Sequence, residues 1–116
     1  MRKIKEIESD PKNFNRNLVM MYKRAREKGF QRINFSEIVW EREVQEIYDN
    51  LKAVGVHKVT ISNQSTGLMS TVHEFVKRGC SIGHLVELTD GTRTGEVDGH
   101  LAEVPNIIPA LTIIIK

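Results

Sequence analysis

A chain of 116 residues, 40% hydrophobic and 28% charged, has room for one core and not two, and its balance excludes a disordered polymer. The only long apolar run, IIPALTIII, is too short to cross a bilayer and contains a proline, and MRKIKEIES lacks a signal-peptide core. Net charge is +2, and the single cysteine, Cys80, excludes an internal disulfide, as expected of a buried thiol in a reducing cytoplasm.

The charge is uneven along the chain. Residues 1–32 hold ten Lys and Arg against four Asp and Glu, and residues 33–54 hold two against five. Such asymmetry attracts an anionic partner, or places two oppositely charged elements side by side. The first predicted helix opens at Ser9-Asp10-Pro11, carries the apolar stripe Phe14, Leu18, Met21 and Ala25, and stops at Gly29. Lys23, Arg24, Arg26 and Lys28 place positive charge near the negative end of its dipole. Phe30–Phe35 is expected to be a short, extended connector.

A second helix is predicted from a Ser36 cap to Gly55, with Val44, Ile47, Tyr48, Leu51 and Val54 buried and Trp40 on the same side. Its outer face carries Glu41, Glu43, Glu46 and Asp49. A strand over Val56–Ser62 follows, then a helix with Leu68, Val72, Phe75 and Val76 inward, then a strand from Ser81 to Thr89. The polar, glycine-containing stretch from Thr89 to Pro105 reads as a long loop, mobile or functional. PALTIIIK closes the chain as a central strand, apolar on both faces. The expectation is therefore a single α/β domain over residues 1–116: a three-stranded mixed sheet covered by about three helices. Its βαβ unit has parallel strands, and the last strand returns antiparallel.

Four groups of residues bear on function. Ser62–Gly67 lies between a strand and a helix, where α/β folds hold phosphates, and Asn63, Gln64, Ser65 and Thr66 are its candidate ligand-binding residues. Yet neither GxxxxGK(S/T) nor GxGxxG is present, and the simpler expectation is that Asn63, Ser65 or Thr66 caps the helix. His57, His73, His84 and His100 have no metal-ligand spacing, so no metal and no cofactor is expected. The carboxylates of the C-terminal third form no singled-out pair and there is no GxSxG elbow, which points away from an enzyme. Lys12, Arg16, Lys23 and Arg26 form a basic helix face suited to phosphates, without the interleaved aromatics of single-strand binders.

One resemblance runs from Ile33 to Lys116, carried by Phe35, Trp40, Glu43, Val44, Leu51, Gly55, Val59–Ser62, Gly67, Leu68, Gly79 and Pro109–Leu111. In these positions the chain resembles small accessory proteins of phages, plasmids and integrated elements of Gram-positive bacteria. The matching residues are core and turn residues, and the resemblance brings no catalytic residues with it. It implies an accessory role, and some proteins of that setting are anti-CRISPR inhibitors of an effector nuclease.

Three functions follow in order of preference. The first is a non-catalytic protein that binds a host or element protein, such as a CRISPR nuclease, with Glu41, Glu43, Glu46 and Asp49 as the partner-binding patch. The second is a nucleic-acid-binding regulator using Lys12, Arg16, Lys23 and Arg26. The third is a ligand or enzyme module using the Ser62–Gly67 turn. A monomer or a homodimer is expected, away from membranes.

Overall fold

Asn15 starts the first long helix, and the way it does so changes the expected N-terminus. A computed structural model describes residues 3–37, 39–63, 65 and 67–116. Its elements are α1 (Glu6–Ser9), a 3-10 turn (Pro11–Asn13), α2 (Arg16–Lys28), β1 (Asn34–Phe35), α3 (Glu41–Ala53), β2 (Lys58–Ile61), α4 (Leu68–Lys77), β3 (Ser81–Val97) and β4 (His100–Ile114). Asp10 and Pro11 open the 3-10 turn and not the helix. Phe14 is extended and buried, and Asn15 Oδ1 then accepts the backbone N–H groups of Asn17 (2.9 Å) and Leu18 (3.1 Å). Asn15 thereby satisfies two donors that a helix start leaves without partners. Gly29 ends α2 at φ 73°, and the Phe30 N–H reaches back to the Ala25 carbonyl at 2.9 Å, closing a Schellman turn.

The second long helix is also shorter than its period suggests. Ser36 does not cap it; its hydroxyl accepts from Arg24 Nη1 at 3.0 Å, and the helix begins only at Glu41. Residues outside the helix do not share its period. Trp40, expected beside Val44 and Ile47, is therefore 59% exposed, while Val44, Ile47, Leu51 and Val54 are buried as expected. On α4 the buried side is Val72 and Phe75, and Val76 is exposed, contrary to its expected inward position.

Among the described residues the sheet has four strands in the order β1-β2-β4-β3, where three were expected, and four α-helices accompany it. β1 is parallel to β2, and β4 is antiparallel to both β2 and β3. The expected βαβ unit of β2, α4 and β3 does have parallel strands, but β4 lies between them and splits the unit. β4 is interior there, in keeping with its apolar sequence. The register places Phe35 beside Ile61, Ile61 beside Leu111 and Val59 beside Ile113, all on one face. That face joins Leu18, Met21, Val44, Ile47, Leu51, Val72 and Phe75 from the helices in one core. The opposite face is polar at its centre: Thr60 Oγ1 donates to Asn34 Oδ1 at 2.8 Å, and Asn34 Nδ2 donates to Ser62 Oγ at 2.8 Å. Cys80 is buried as expected.

The largest correction concerns residues 90–104. They form no loop: β3 and β4 run on as a hairpin to Asp98-Gly99, with β4 from His100 paired throughout to β3. Asp98 (φ 52°) and Gly99 (φ 80°) are both left-handed, which is the two-residue turn that matches strand twist. Two register shifts, between Ile82 and Leu85 and between Thr89 and Thr92, each give β3 one extra residue. Beyond Thr89 the hairpin projects as an arm of about 25 Å. The molecule accordingly measures 52 × 30 × 20 Å, and its radius of gyration is 15.5 Å where about 13 Å suits a compact chain of this length.

Candidate interaction surface

β4 alternates without interruption, so its odd residues share a face with their partners across the ladder. In the body that face is Leu111 and Ile113, under the helices. Toward and along the arm it continues as Pro109, Ile107, Pro105, Glu103 and Leu101, opposite Glu87, Thr89, Thr92, Thr94 and Glu96, and no described residue covers it. Leu101 is 81% exposed, Leu85 73% and Ile107 45%. Three carboxylates, Glu87, Glu96 and Glu103, stand among these aliphatic side chains. Across residues 86–110 one cation, Arg93, faces five acidic residues, a net charge of −4 on a chain of +2. The rest of the molecule therefore carries +6. The even face is half-buried at Val86, Leu88, Val104 and Ile108. There a cleft of about 610 Å³ opens between the Lys28–Arg32 connector and β3, with Thr60 in its lining.

The free edges of the arm are blunted against further strands. Proline is tolerated in a sheet where its missing N–H would point away from the ladder. Pro105 and Pro109 thus remove donors from the side of β4 that β2, paired only to residues 111–114, does not reach. On β3 the two bulges bend the outer edge.

The residues expected to bind partners fall elsewhere. Glu41, Glu46 and Asp49 are exposed on α3, and Asp49 accepts from Gln45 at 3.0 Å. Glu43 is half-buried and structural: Oε1 accepts from Asn17 Nδ2 at 2.8 Å and Asn15 Nδ2 at 3.3 Å, joining α3 to the start of α2. The four do not form one free acidic patch. Of the basic residues, Arg26 is ion-paired with Glu8 and lies over the Tyr22 ring at 6.0 Å. The Glu8 carboxylate, foremost, raises the Arg26 pKa above its ordinary value. Arg24 bonds to Ser36 and Glu37, and Lys28 is paired with Asp90. Lys12, Arg16 and Lys23 are exposed and make no ion pair among the described residues.

The turn before α4 also differs from expectation. Asn63 Oδ1 accepts the Ser65 N–H at 3.0 Å and Ser65 Oγ accepts the Gly67 N–H at 3.3 Å, so these side chains build the turn itself. The N-cap of α4 is Gly67, with no side-chain bond, and neither Asn63 nor Ser65 caps the helix. Gln64 and Thr66 lie outside the described residues. The four histidines are all exposed, and no group of three His, Cys, Asp or Glu suited to a metal occurs among the described residues.

Sequence reasoning missed Trp40 and the arm. Trp40 is the N-cap residue of α3, and Val39 beside it is buried, its carbonyl accepting Thr71 Oγ1 at 3.1 Å. The anchored backbone leaves the indole at the surface, between hollows of about 540 Å³ (with Arg16, Met20 and Arg42) and about 560 Å³ (with Arg42, Ser70 and Thr71).

The fold and this surface define a small α/β domain with a split βαβ unit and a projecting β-arm. The chain belongs to a family known as a domain of unknown function (DUF7698), whose model matches residues 17–110. The matched span includes the whole arm and all of α2 but its first residue. No curated protein and no solved structure matches the chain. Among the described residues no helix is long and apolar enough to cross a membrane.

Proposed function

We propose that this chain is a non-catalytic interaction protein that engages its partner through the uncovered face of the β-arm. The observation carrying this reading is that the helix-covered face of the sheet continues past the helices as Leu85, Ile107 and, on the arm, Leu101, interspersed with Glu87, Glu96 and Glu103. Apolar contact supplies affinity, and the net −4 of residues 86–110 steers it to a cationic surface. Cationic channels of that kind line nucleases that hold guide and target strands, and the resemblance to mobile-element proteins makes a host CRISPR nuclease the partner to test first. Acidity concentrated on the arm serves that role better than the α3 carboxylates, of which Glu43 is already engaged.

The test is inhibition of a loaded nuclease from a plausible Gram-positive host, with co-elution of the two proteins. Leu101→Glu and a Glu96→Lys/Glu103→Lys variant should lose the effect while keeping the wild-type circular dichroism and a cooperative melting transition. No inhibition and no complex with any such nuclease removes this partner.

A second reading, a nucleic-acid-binding regulator, is favoured by one observation: Arg16 and Lys23 are unpaired and Trp40 stands exposed near Arg16. It requires a salt-dependent shift of a labelled single strand that Arg16→Glu weakens for every sequence.

A further inference from the structure

The arm leaves an apolar, acidic face bare, and a two-stranded ribbon on its own is marginally stable in water. The same chain carries a surface of opposite character. Along α2, Arg16, Met20 and Lys23 border a hollow of about 430 Å³. Arg16 and Met20 also line the next hollow with Trp40 and Arg42, and Trp40 and Arg42 line the one after that. Shared residues join the three hollows into one interrupted trough, in which Met20 and the 59% exposed indole of Trp40 stand as the rises between them. Arg16, Lys23 and Arg42 have no ion-pair partner among the described residues.

We infer that the trough receives the arm of a second copy of this chain, so that two copies exchange arms about a two-fold axis. Leu101 and Ile107 of one copy lie against Trp40 and Met20 of the other, and Glu96 and Glu103 meet Arg16, Lys23 and Arg42. The inference rests on the reading of the arm as the binding element and names its occupant when no other partner is present. Charge selects this arrangement over its rivals. Two hairpins laid edge to edge over residues 86–110 would bring −4 against −4, and the prolines and bulges already hinder the edges. A nucleic-acid strand would meet Glu27, Glu43 and Glu41, one in each hollow, which interrupt the cations of the trough. An arm with spaced carboxylates and aliphatic side chains between them fits such a mixed surface. The two-fold axis closes the pair: each arm fills the other copy's trough and no site is left to extend the assembly, whereas the same contact repeated without that axis would run on as an open chain.

The experiment uses the intact chain alone. Light scattering at about 50 μM in low salt should give twice the 13.3 kDa chain mass, falling toward the monomer as salt rises. Emission from Trp40, the only tryptophan, should move to shorter wavelength as the concentration is raised through the transition. An Arg16→Glu/Lys23→Glu chain and a Glu96→Lys/Glu103→Lys chain should each be monomeric. Mixed in equal amounts they should form a heterodimer, because the reversed arm then meets the reversed trough and the native arm meets the native trough. A monomeric wild-type chain, or two reversed chains that do not associate on mixing, overturns the inference. So does a monomer whose Trp40 is quenched by a single-stranded oligonucleotide and not by its own dilution series. A monomer that still inhibits a nuclease sinks the dimer and spares the arm reading; a dimer inactive on every nuclease does the reverse.

Discussion

Lys28 Nζ stands 2.8 Å from Asp90 Oδ1, joining the last residue of α2 to the second bulge of β3. Since Asp90 is where the hairpin leaves the body, this pair ties the base of the arm to the end of α2. Both side chains are partly exposed, so the direct stabilisation is small, about 0.2–1 kcal/mol for such pairs. The larger effect of Lys28→Met or Asp90→Asn is on the arm itself. Amide exchange of residues 91–105 should accelerate severalfold, while the melting temperature of the body hardly moves. Unchanged exchange in the arm would mean that the pair does not hold it.

The turn at the arm's tip yields a second expectation. Gly99 sits at φ 80°, where a Cβ is strained whatever space surrounds it, and Gly99→Ala should cost about 1 kcal/mol by urea unfolding. Asp98→Gly, which relaxes the neighbouring left-handed residue, should cost less. Gly95 makes a different demand: a Cβ there would fall 2.9 Å from Val104 Cγ2, so Gly95→Ala must push a stiff, β-branched side chain and not the backbone. The two glycines are separable, because only Gly99→Ala should speed exchange at the turn.

Much of the body was legible from residue spacing, and the arm was not, for physical reasons. The stripes Leu18, Met21, Ala25 and Val44, Ile47, Leu51 have a core to face, and burial imposes the period that reveals them. From Thr89 to Glu103 no core stands behind either face. Threonine, glycine and charge therefore occupy positions where a buried strand would alternate, and the segment imitates a loop. One signal was available: Asp98-Gly99 lies between Glu96-Val97 and His100-Leu101, a two-residue hairpin dipeptide with polar-apolar pairs on both sides. Trp40 was hidden differently. Its spacing to Val44 and Ile47 is helical, but the helix starts one residue later, because Ser36 is held by Arg24 and Val39 by Thr71.

Asn15 concentrates more of the fold than any other polar residue. Its side chain caps α2, its own N–H donates to Asn50 Oδ1 at 2.9 Å, and its amide donates to Glu43. Asn15→Ala leaves two helix donors and part of the α2–α3 contact unsatisfied at a buried position, and should cost about 2 kcal/mol in urea unfolding. Asn15→Asp keeps the cap but sets a carboxylate against Glu43, so it should recover only part of that loss. Full recovery by Asp would show that the Glu43 contact contributes nothing.

Glu74 gives the pH dependence. Hydrogen bonds from Lys77 Nζ (2.9 Å) and then Arg78 Nη1 (3.1 Å) hold its carboxyl below the ordinary value of 4.5. Arg78 in turn donates to Gln45 at 2.8 Å, so the carboxylate steadies a link between α4 and α3. A carboxyl whose folded pKa lies under its unfolded one binds fewer protons when folded. Its contribution is complete above 4.5 and disappears as the pH falls through the lowered folded value. Glu74→Gln removes the charge at every pH. The variant should therefore melt below wild type at pH 7 by a constant margin down to about pH 5, and the two curves should converge in more acid solution. Parallel melting curves across that acid range would show that Glu74 titrates alike in both states.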